Sequence, residues 1–426
     1  MIKKLLFGLS LLTGASSFAG GFQLNTQSVR ALGMGGSNTA WAIDASAVYF
    51  NPAAITRLSG YQFSLGVHYV TPSISLQTEA NDNINQTTGN ANPIYFYYTG
   101  KITEKMSVGF LVNNQFGSSS SFEDSWEGRN IVQNISLRTF MFQPTLAYQI
   151  HEKLSIGAGF VLATGSFSFE KAVPVSSTEN LYGKARLAGK GTTYGGNFGI
   201  HFEALKTDKM DLSIGLDYRT ALKLKLDGGT AEFSDIPSSL TNTFPESTTF
   251  KGGLTLPSVA SAGLKFGYKI NDDIDLSFVY DFNYTSWSSY DTLAFDFENA
   301  DTPDSKTVKN WQNVSAHRFG VDLTWKEKIG VRGGLVIDQS PILDGYLSPE
   351  LPDHDQVVYS AGLSYQINDM ISVDLSYLRQ NLDFESSLDA ASFSAKYHRI
   401  INVYGFGVNV KLGGGEVNKE PIEEAK

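Results

Sequence analysis

The chain has 426 residues, of which 42% are hydrophobic, 12% aromatic and 18% charged, and its formal net charge is −10. The negative charge argues against nucleic acid as a partner, because nucleic-acid binding relies on excess lysine and arginine to neutralise phosphates. The absence of cysteine excludes a disulfide framework and a lipid anchor on cysteine. With 20 tyrosines, 28 phenylalanines and 41 glycines, the composition is instead typical of a membrane β-barrel.

Residues 1–19 carry the three parts of a secretory signal peptide in order. Lys3 and Lys4 form the positive start, residues 5–12 are apolar but too short to span a membrane, and residues 17–19 form a small-x-small cleavage site. A buried N-terminal helix is the alternative. No other run of about 18 apolar residues occurs, so the sequence predicts no transmembrane helix.

Residues 20–60 are rich in small residues, carry few charges and contain the triplet Asn51-Pro52-Ala53. Pro52 fixes its own φ angle and disfavours helical geometry at Asn51, whose side chain readily bonds nearby backbone. We therefore expect a defined turn where this segment meets the next part of the chain. An ordinary loop turn is the alternative.

Residues 61–412 consist of alternating runs separated by two kinds of connection. Short polar turns fall at 103–105, 151–153, 206–209, 271–273, 326–328 and 368–369. Longer polar connections fall near 73–92, 118–136, 171–185, 227–255, 286–312, 339–355 and 381–396. These thirteen connections join fourteen strands, and short turns on one side with long loops on the other are typical of an outer-membrane barrel.

Period-two alternation supports the strand assignment. Tyr, Phe, Leu, Val and Tyr occupy the odd positions of 61–69, and Gln, Ser, Gly and His occupy the even ones. Such alternation turns one row toward lipid and the other toward the lumen, and a sheet in hydrocarbon must close because open edges are not tolerated. The sequence predicts an all-β, 14-stranded antiparallel transmembrane β-barrel. A large soluble β-sandwich or propeller is the alternative.

The same register turns several charged side chains toward the lumen, where a charge costs less than in lipid. They are Asp217, Arg219, Lys223, Lys265, Asp275, Arg318, Asp322, Arg332, Asp338 and Asp374. The favoured interpretation is a salt-bridged brace, because most of these arginines have an aspartate nearby. The alternative is that Arg219, Arg318 and Arg332 bind a ligand carboxylate, since arginine pairs well with carboxylates.

Short motifs, in order along the chain, resemble the FadL-type family of outer-membrane transporters for hydrophobic compounds. The first are Gly21-Phe22-Gln23-Leu24, Leu32-Gly33-Met34-Gly35, Asp44-Ala45-Ser46-Ala47 and Asn51-Pro52-Ala53. The later ones are Trp126-Glu127-Gly128-Arg129, Gln143-Pro144-Thr145-Leu146-Ala147-Tyr148, Trp287-Ser288-Ser289-Tyr290, Arg332-Gly333-Gly334 and Leu351-Pro352-Asp353. Each motif alone is weak, but together they cover nearly the whole mature chain.

The resemblance implies a barrel of residues 61–412 with residues 20–60 as a plug, or hatch, inside the lumen. It implies passive uptake of long-chain fatty acids or related hydrocarbons, with Phe22 and Leu24 in the ligand pocket. Asn51, Pro52 and Ala53 are then structural hatch residues, with a gating role left open.

The resemblance also implies that the third strand kinks inward and opens the barrel wall sideways, so that cargo leaves into the membrane. The matching residues are Asn114, Gln115, Phe116 and Gly117. Glycine inside a strand does mark bulges and bends, which gives this expectation a physical basis. The alternative is a glycine kept only for barrel curvature.

Two features depart from the family pattern. Members that take fatty acids place basic residues near the pocket, but the predicted fifth strand, residues 155–169, contains no arginine or lysine. Neutral or aromatic hydrocarbons are therefore an alternative cargo. The chain also continues into an acidic tail, residues 413–426, which we expect to be a disordered periplasmic extension.

Enzyme motifs of the GxSxG, HExxH, P-loop and CxxC types are absent, and the six histidines lack metal-ligand spacing. We therefore expect no enzymatic activity, no cofactor and no metal. The predicted function is a monomeric channel in outer-membrane lipid for hydrophobic small molecules. A surface adhesin or receptor barrel that uses its long loops is the alternative.

Overall fold

The structure, a computed structural model, describes residues 20–87, 89–176 and 181–413. The predicted signal peptide and all but the first residue of the predicted acidic tail lie outside the described residues. No helix within the described ranges is long and apolar enough to cross a membrane.

The described residues form 21 strands and a few short helices. The strands are β1 (Tyr61–Gln77), β2 (Ile84–Asn85), β3 (Ile94–Lys101), β4 (Met106–Asn113), β5 (Gly117–Ser121), β6 (Asn134–His151), β7 (Leu154–Pro174), β8 (Tyr182–Lys206), β9 (Met210–Arg219), β10 (Leu222–Lys225), β11 (Gly229–Ser234), β12 (Ser247–Leu256), β13 (Val259–Asn271), β14 (Ile274–Thr285), β15 (Thr292–Phe297), β16 (Ser305–Val308), β17 (Val314–Trp325), β18 (Ile329–Asp338), β19 (Gln356–Gln366), β20 (Ile371–Leu388) and β21 (Phe393–Leu412). The helices are α1 (Val29–Leu32), α2 (Ala47–Phe50) and 3-10 helices at Pro52–Arg57, Ser238–Leu240, Trp287–Ser289 and Asp389–Ala391.

Fourteen of these strands form one closed antiparallel barrel. In ladder order they are β1, β3, β4, β6, β7, β8, β9, β13, β14, β17, β18, β19, β20 and β21. β21 then pairs with β1, from Tyr61↔Leu412 to Gln77↔Lys396, and closes the sheet. The predicted fourteen-stranded barrel is confirmed, and the soluble sandwich or propeller is wrong.

Side chains alternate across the wall as predicted. Along β1, Ser64 and His68 are buried, while Leu65 and Tyr69 are 57% and 45% exposed. Large apolar side chains are exposed on the outer face of other strands too, for example Phe160 and Tyr194. An outward apolar band with a more polar interior is the arrangement that a lipid-embedded barrel requires.

Residues 381–396 were predicted to form a long loop, and that prediction is wrong. β20 and β21 stay paired as far as Leu388↔Phe393, with Ser392 in the left-handed conformation at the turn. The outward side chains of this extension, such as Asp383, are polar. The hairpin extends beyond the apolar band, so its polar composition concealed the strand.

Lys223 was predicted to face the lumen, but it is exposed. The buried positions are Asp217 and Arg219 in the last part of β9, which ends at Arg219, and Leu222 and Leu224 in β10. The interval of three residues from Arg219 to Leu222 reverses the alternation and turns Lys223 outward. The other predicted lumen charges are buried, apart from Asp275, which is partly exposed.

Residues 20–60 pack against the inner face of the barrel and are mostly buried. Helix α1 contacts β19, β20 and β21, whereas the 3-10 helix Pro52–Arg57 contacts β6, β7 and β8. Glycines in the barrel strands, which have no side chain, make this close fit possible. A Cβ at Gly157 would lie 2.5 Å from the Pro52 carbonyl carbon, and one at Gly215 would lie 2.1 Å from the Thr39 carbonyl oxygen. The backbone of the segment therefore rests directly on the strands.

Candidate functional site

An apolar cavity lies between the start of the N-terminal segment, the inner face of the barrel and the loops that follow β14, β16 and β18. Its apolar lining consists of Phe22, Ile135, Leu137, Phe167, Leu254, Trp311, Ile342 and Leu351. Polar lining comes from Ser118, Tyr290, Lys309, Tyr346, Ser348 and Glu350. A mainly apolar surface with a few polar groups is typical of sites for hydrophobic ligands.

Phe22 lies at one side of this cavity, inside an aromatic cage. Its ring meets Trp287 and Tyr290 edge-on, with centroids 4.6 and 5.2 Å apart, and the Trp311 ring lies 5.7 Å away. The preceding Gly21 has φ +69°, and a Cβ there would lie 2.6 Å from Trp311. Only glycine allows the chain to enter the cage in this way.

Leu24, the second residue predicted for the pocket, does not line this cavity. It is 1% exposed and belongs to a separate cluster with Val70, Val336, Leu378 and others. Two residues of extended chain separate side chains by about 7 Å. That distance carries Leu24 past this cavity, and a ligand-binding role for Leu24 stays a prediction.

A buried ion pair joins Lys309 and Glu350 in the wall of the cavity. The Lys309 Nζ donates to the Glu350 Oε1 at 2.9 Å, and the Ser348 hydroxyl donates to the other carboxylate oxygen. Both charged side chains are about nine-tenths buried.

The contacts of this pair keep both groups charged. Burial alone would raise the pKa of Glu350, yet the Lys309 ammonium and the Ser348 hydroxyl hold that pKa below its ordinary value. Burial lowers the pKa of Lys309, but the Glu350 carboxylate more than offsets this effect and raises it. Both groups are therefore ionised.

Arg219 and Arg318 bind the N-terminal segment from the barrel wall. Arg219 donates to the Tyr49 carbonyl oxygen at 2.7 Å and lies over the Tyr49 ring. Arg318 donates to the Gly35 carbonyl oxygen at 2.9 Å and to the Asn25 side chain at 3.1 Å. Both line a separate polar cavity that lacks Lys309 and Glu350.

Arg332 takes part in a network of ion pairs between β17, β18, β20 and the N-terminal segment. It pairs with Asp322, and its Nη1 lies 3.7 Å from the Asp374 Oδ1. Arg30 of the segment reaches the same Asp374 oxygen at 3.1 Å. In the described structure none of the three predicted arginines lines the apolar cavity. Their contacts match the bracing interpretation, and binding of a ligand carboxylate by them stays a prediction.

The third strand of the barrel is interrupted at Asn114, Gln115 and Phe116, between β4 and β5. From Asn113 to Gly117 this strand advances four residues, while its partner β6 advances three. The extra residue makes a bulge, which bends a strand. The bend brings the chain onto residues 22–24 of the N-terminal segment.

Two backbone hydrogen bonds form this contact. The Leu24 amide donates to the Gln115 carbonyl oxygen at 2.8 Å, and the Gly117 amide donates to the Phe22 carbonyl oxygen at 2.9 Å. The Phe22 and Phe116 rings lie 6.1 Å apart. The four predicted kink residues, 114–117, therefore lie directly beside the aromatic cage. They are about 90 residues from Phe22 in the sequence, so the sequence did not predict this contact.

The triplet Asn51-Pro52-Ala53 connects the N-terminal segment to β8. The Asn51 Oδ1 accepts from the Ala53 amide at 3.0 Å and caps the following 3-10 helix. Its Nδ2 donates to the Thr39 and Ile200 carbonyl oxygens, each at 2.9 Å. This geometry agrees with a defined turn at the junction between segment and barrel.

The sequence analysis missed Lys309, Glu350 and Trp311. Lys309 and Glu350 lie in different long loops, 41 residues apart, and nothing in either loop indicates the pairing. The only local signal is a lysine two residues before a tryptophan in a loop that is otherwise polar. No group of histidines or carboxylates in the described part of the chain could hold a metal ion.

Known proteins agree with this fold. The solved structure of a Pseudomonas aeruginosa FadL homologue has a TM-score of 0.79 at 18% identity and covers 92% of this chain and all of its own. The Pseudomonas putida toluene transporter TodX has a TM-score of 0.69 at 16% identity and covers 94% of this chain and all of its own. Curated relatives include long-chain fatty acid transport proteins of Salmonella typhi, 26% identical over 88% of this chain and 92% of the relative, and of Escherichia coli K12, 24% identical over the same shares.

A sequence model of the family described as "Outer membrane protein transport protein (OMPP1/FadL/TodX)" matches residues 10–410. This match covers almost the entire barrel and the segment inside it. The chain belongs to the OMPP1/FadL/TodX family of outer-membrane transport proteins.

Proposed function

We propose that this protein admits long-chain fatty acids or aromatic hydrocarbons through the outer membrane by passive diffusion. The observation that carries the proposal is the apolar cavity at Phe22, which adjoins the interrupted third strand through the Gly117-to-Phe22 hydrogen bond. The curated relatives, which are long-chain fatty acid transport proteins, support an extended apolar cargo. No chemical conversion is part of the proposed role.

The apolar cavity supplies the driving force for capture. An apolar molecule that leaves water for such a surface gains about 0.8 kcal/mol per buried methylene group. Release must then lead to another apolar environment, because release into an aqueous lumen would lose the same free energy. Lipid beside the wall is the nearest such environment.

The proposed exit passes the contact between residues 22–24 and 115–117. These backbones are joined by two hydrogen bonds, each contributing about 1 kcal/mol net. The free-energy cost of separating them is therefore small enough for the contact to open during transport. The β3–β4 ladder ends at Tyr95↔Asn113, and beyond it the third strand bends inward. Cargo that displaces the Phe22 ring then reaches the wall at this bend. Residues 20–60 act as the hatch and Asn51 as its anchor.

The proposed working unit is a monomer surrounded by lipid. A barrel whose first and last strands pair satisfies its backbone hydrogen bonds without a second copy. Its outward apolar side chains then face lipid tails.

A space-filling variant tests the proposal. Leu137 is buried in the cavity wall, so Leu137→Trp should occupy the space that cargo needs. Leu363→Trp makes the same change at an outward position that is 52% exposed, and serves as the control. Uptake of a fluorescent long-chain fatty acid and of toluene is measured in cells with equal amounts of folded barrel. We expect Leu137→Trp to lose most uptake of at least one cargo, and Leu363→Trp to retain it. Normal uptake of both by Leu137→Trp would exclude the cavity as the route, and would favour a surface role for the loops.

A further inference from the structure

The charges in the apolar cavity cancel before any cargo arrives. Among the described residues that line it, Lys309 and Glu350 are the charged ones, and they bind each other at 2.9 Å. Ser348 binds the second carboxylate oxygen, and the Tyr290 ring borders the same cavity. A lysine placed to receive a ligand carboxylate would carry an uncompensated positive charge, whereas the charge of Lys309 is already neutralised by the Glu350 carboxylate.

We propose that the cavity selects cargo with an uncharged head, and that Glu350 is the residue that sets this preference. The inference rests on the proposed function, since it concerns the same cavity, and it specifies the chemical class of the cargo. A fatty alcohol, a protonated fatty acid or a hydrocarbon fits; a fatty carboxylate does not.

The physical reason is net charge in a dry site. With the pair intact, an uncharged cargo leaves the cavity neutral, whereas a carboxylate adds one uncompensated negative charge. Burying an unpaired charge is costly, and here it also lies beside the like-charged Glu350. An ammonium has three donors and Glu350 takes one of them, so a hydroxyl oxygen can still accept a hydrogen bond from Lys309.

Exchange of partners does not remove the preference. For a carboxylate to replace Glu350 on Lys309, Glu350 must give up both the Lys309 and the Ser348 hydrogen bonds. The Glu350 side chain is about nine-tenths buried, so it would also have to lose its packing contacts in the loop in order to reach water. The incoming carboxylate regains only the bond to Lys309.

The test compares two probes that differ only at the head, ω-bromoundecanol and ω-bromoundecanoate. Bromine quenches tryptophan fluorescence on contact, and Trp311 lines the cavity while Trp287 lies 5.0 Å behind it. The full chain is placed in lipid nanodiscs at pH 8, where no detergent competes. A Trp311→Phe variant identifies the part of the quenching that comes from the cavity.

Three variants separate charge from folding. Glu350→Gln leaves Lys309 unpaired, and Lys309→Met combined with Glu350→Gln removes both charges. Neutral replacement of a buried pair is often tolerated, so the double variant covers the case in which the single one fails to fold. Glu246→Gln, in an exposed loop position, makes the same change in net charge away from the cavity.

We expect the native protein to bind the alcohol at least tenfold more tightly than the carboxylate. Glu350→Gln should bind the carboxylate at least tenfold more tightly than the native protein does, whereas Glu246→Gln should behave as native. The double variant should retain alcohol binding without gaining carboxylate binding. Tighter native binding of the carboxylate, or an unchanged preference in Glu350→Gln, would overturn the inference and leave the proposed function standing. Absence of cavity quenching by both probes would instead count against the proposed function.

Discussion

Gly157 should decide whether the N-terminal segment remains docked on β7. The Gly157 Cα faces the Pro52–Ala53 peptide bond. A Cβ built on it would lie 2.5 Å from the Pro52 carbonyl carbon and 2.6 Å from the Ala53 nitrogen. Ordinary contacts begin at 3.4 Å, so Gly157→Ala must push this peptide away by about 1 Å. Neither atom can move alone, because both belong to the backbone.

The displacement acts on the hydrogen bond that anchors the segment. A shift of about 1 Å lengthens the 2.9 Å bond from Asn51 to the Ile200 carbonyl oxygen beyond bonding distance. Overpacking costs about 1–3 kcal/mol and the lost bond about 1 kcal/mol, so docking should weaken by roughly 2–4 kcal/mol. An effect of this size multiplies local opening by about 30-fold or more.

Amide hydrogen exchange measures this opening directly. The Ala53, Ala54 and Leu58 amides are hydrogen-bonded within the segment, so their exchange should accelerate about 30-fold or more in Gly157→Ala. Gly333→Ala is the matched control, because nothing lies within 4 Å of a Cβ at that position. Amides of the barrel strands should be unaffected in both variants. Unchanged exchange of the three segment amides in Gly157→Ala would refute the close docking of segment and wall.

Three further predictions concern the anchors of the segment and the loops. Arg332→Leu leaves Asp322 buried without its partner, and should lower the free energy of unfolding by about 3–5 kcal/mol without changing alcohol-probe affinity; loss of affinity at native stability would contradict the bracing role. Asn51→Ala removes its three hydrogen bonds and should accelerate segment exchange as Gly157→Ala does; native exchange would show that Asn51 is not an anchor. Because the pKa of Glu350 is lowered, its stabilisation is complete above the ordinary glutamate pKa and is lost as pH falls through the lowered value, so melting curves of the native chain and the doubly neutral variant should converge in acid.

The sequence was sufficient for the barrel because strands in lipid obey a strict local rule. Alternation such as that of Tyr61 to Tyr69, with the short polar turns, fixed fourteen strands without any long-range information. The rule fails where lipid no longer imposes it. The hairpin at 381–396 lies beyond the apolar band, and the break between Arg219 and Leu222 reverses the alternation without a turn residue to mark it.

The candidate site could be predicted only in part, because it is assembled from distant segments. Phe22 was identifiable from its resemblance to a family motif, and the glycine of 114–117 marked a bend in its own strand. Lys309 could not be identified as a cavity residue from the sequence, because its position depends on an ion pair with Glu350, which lies in another loop. The arginines were identifiable as inward-facing, but the Tyr49 and Gly35 carbonyl oxygens they bind lie in a segment without periodicity.

The central claim is that cargo passes the contact between residues 22–24 and 115–117, and a reversible disulfide tests it most directly. Gln23 and Phe116 form an antiparallel bridge whose flanking hydrogen bonds make it a non-hydrogen-bonded pair. Cα atoms in such pairs lie about 4.5 Å apart, within the range of a disulfide. The native chain has no cysteine, so Gln23→Cys with Phe116→Cys would form the only bridge.

Uptake of a fluorescent long-chain fatty acid and of toluene is measured with this double variant, oxidised and then reduced, beside each single variant. The account predicts that the oxidised double variant takes up neither cargo and that reduction restores uptake. Uptake by each single variant should be the same under oxidising and reducing conditions. Equal uptake by the oxidised and reduced forms would contradict the account, because cargo would then cross without separating this contact.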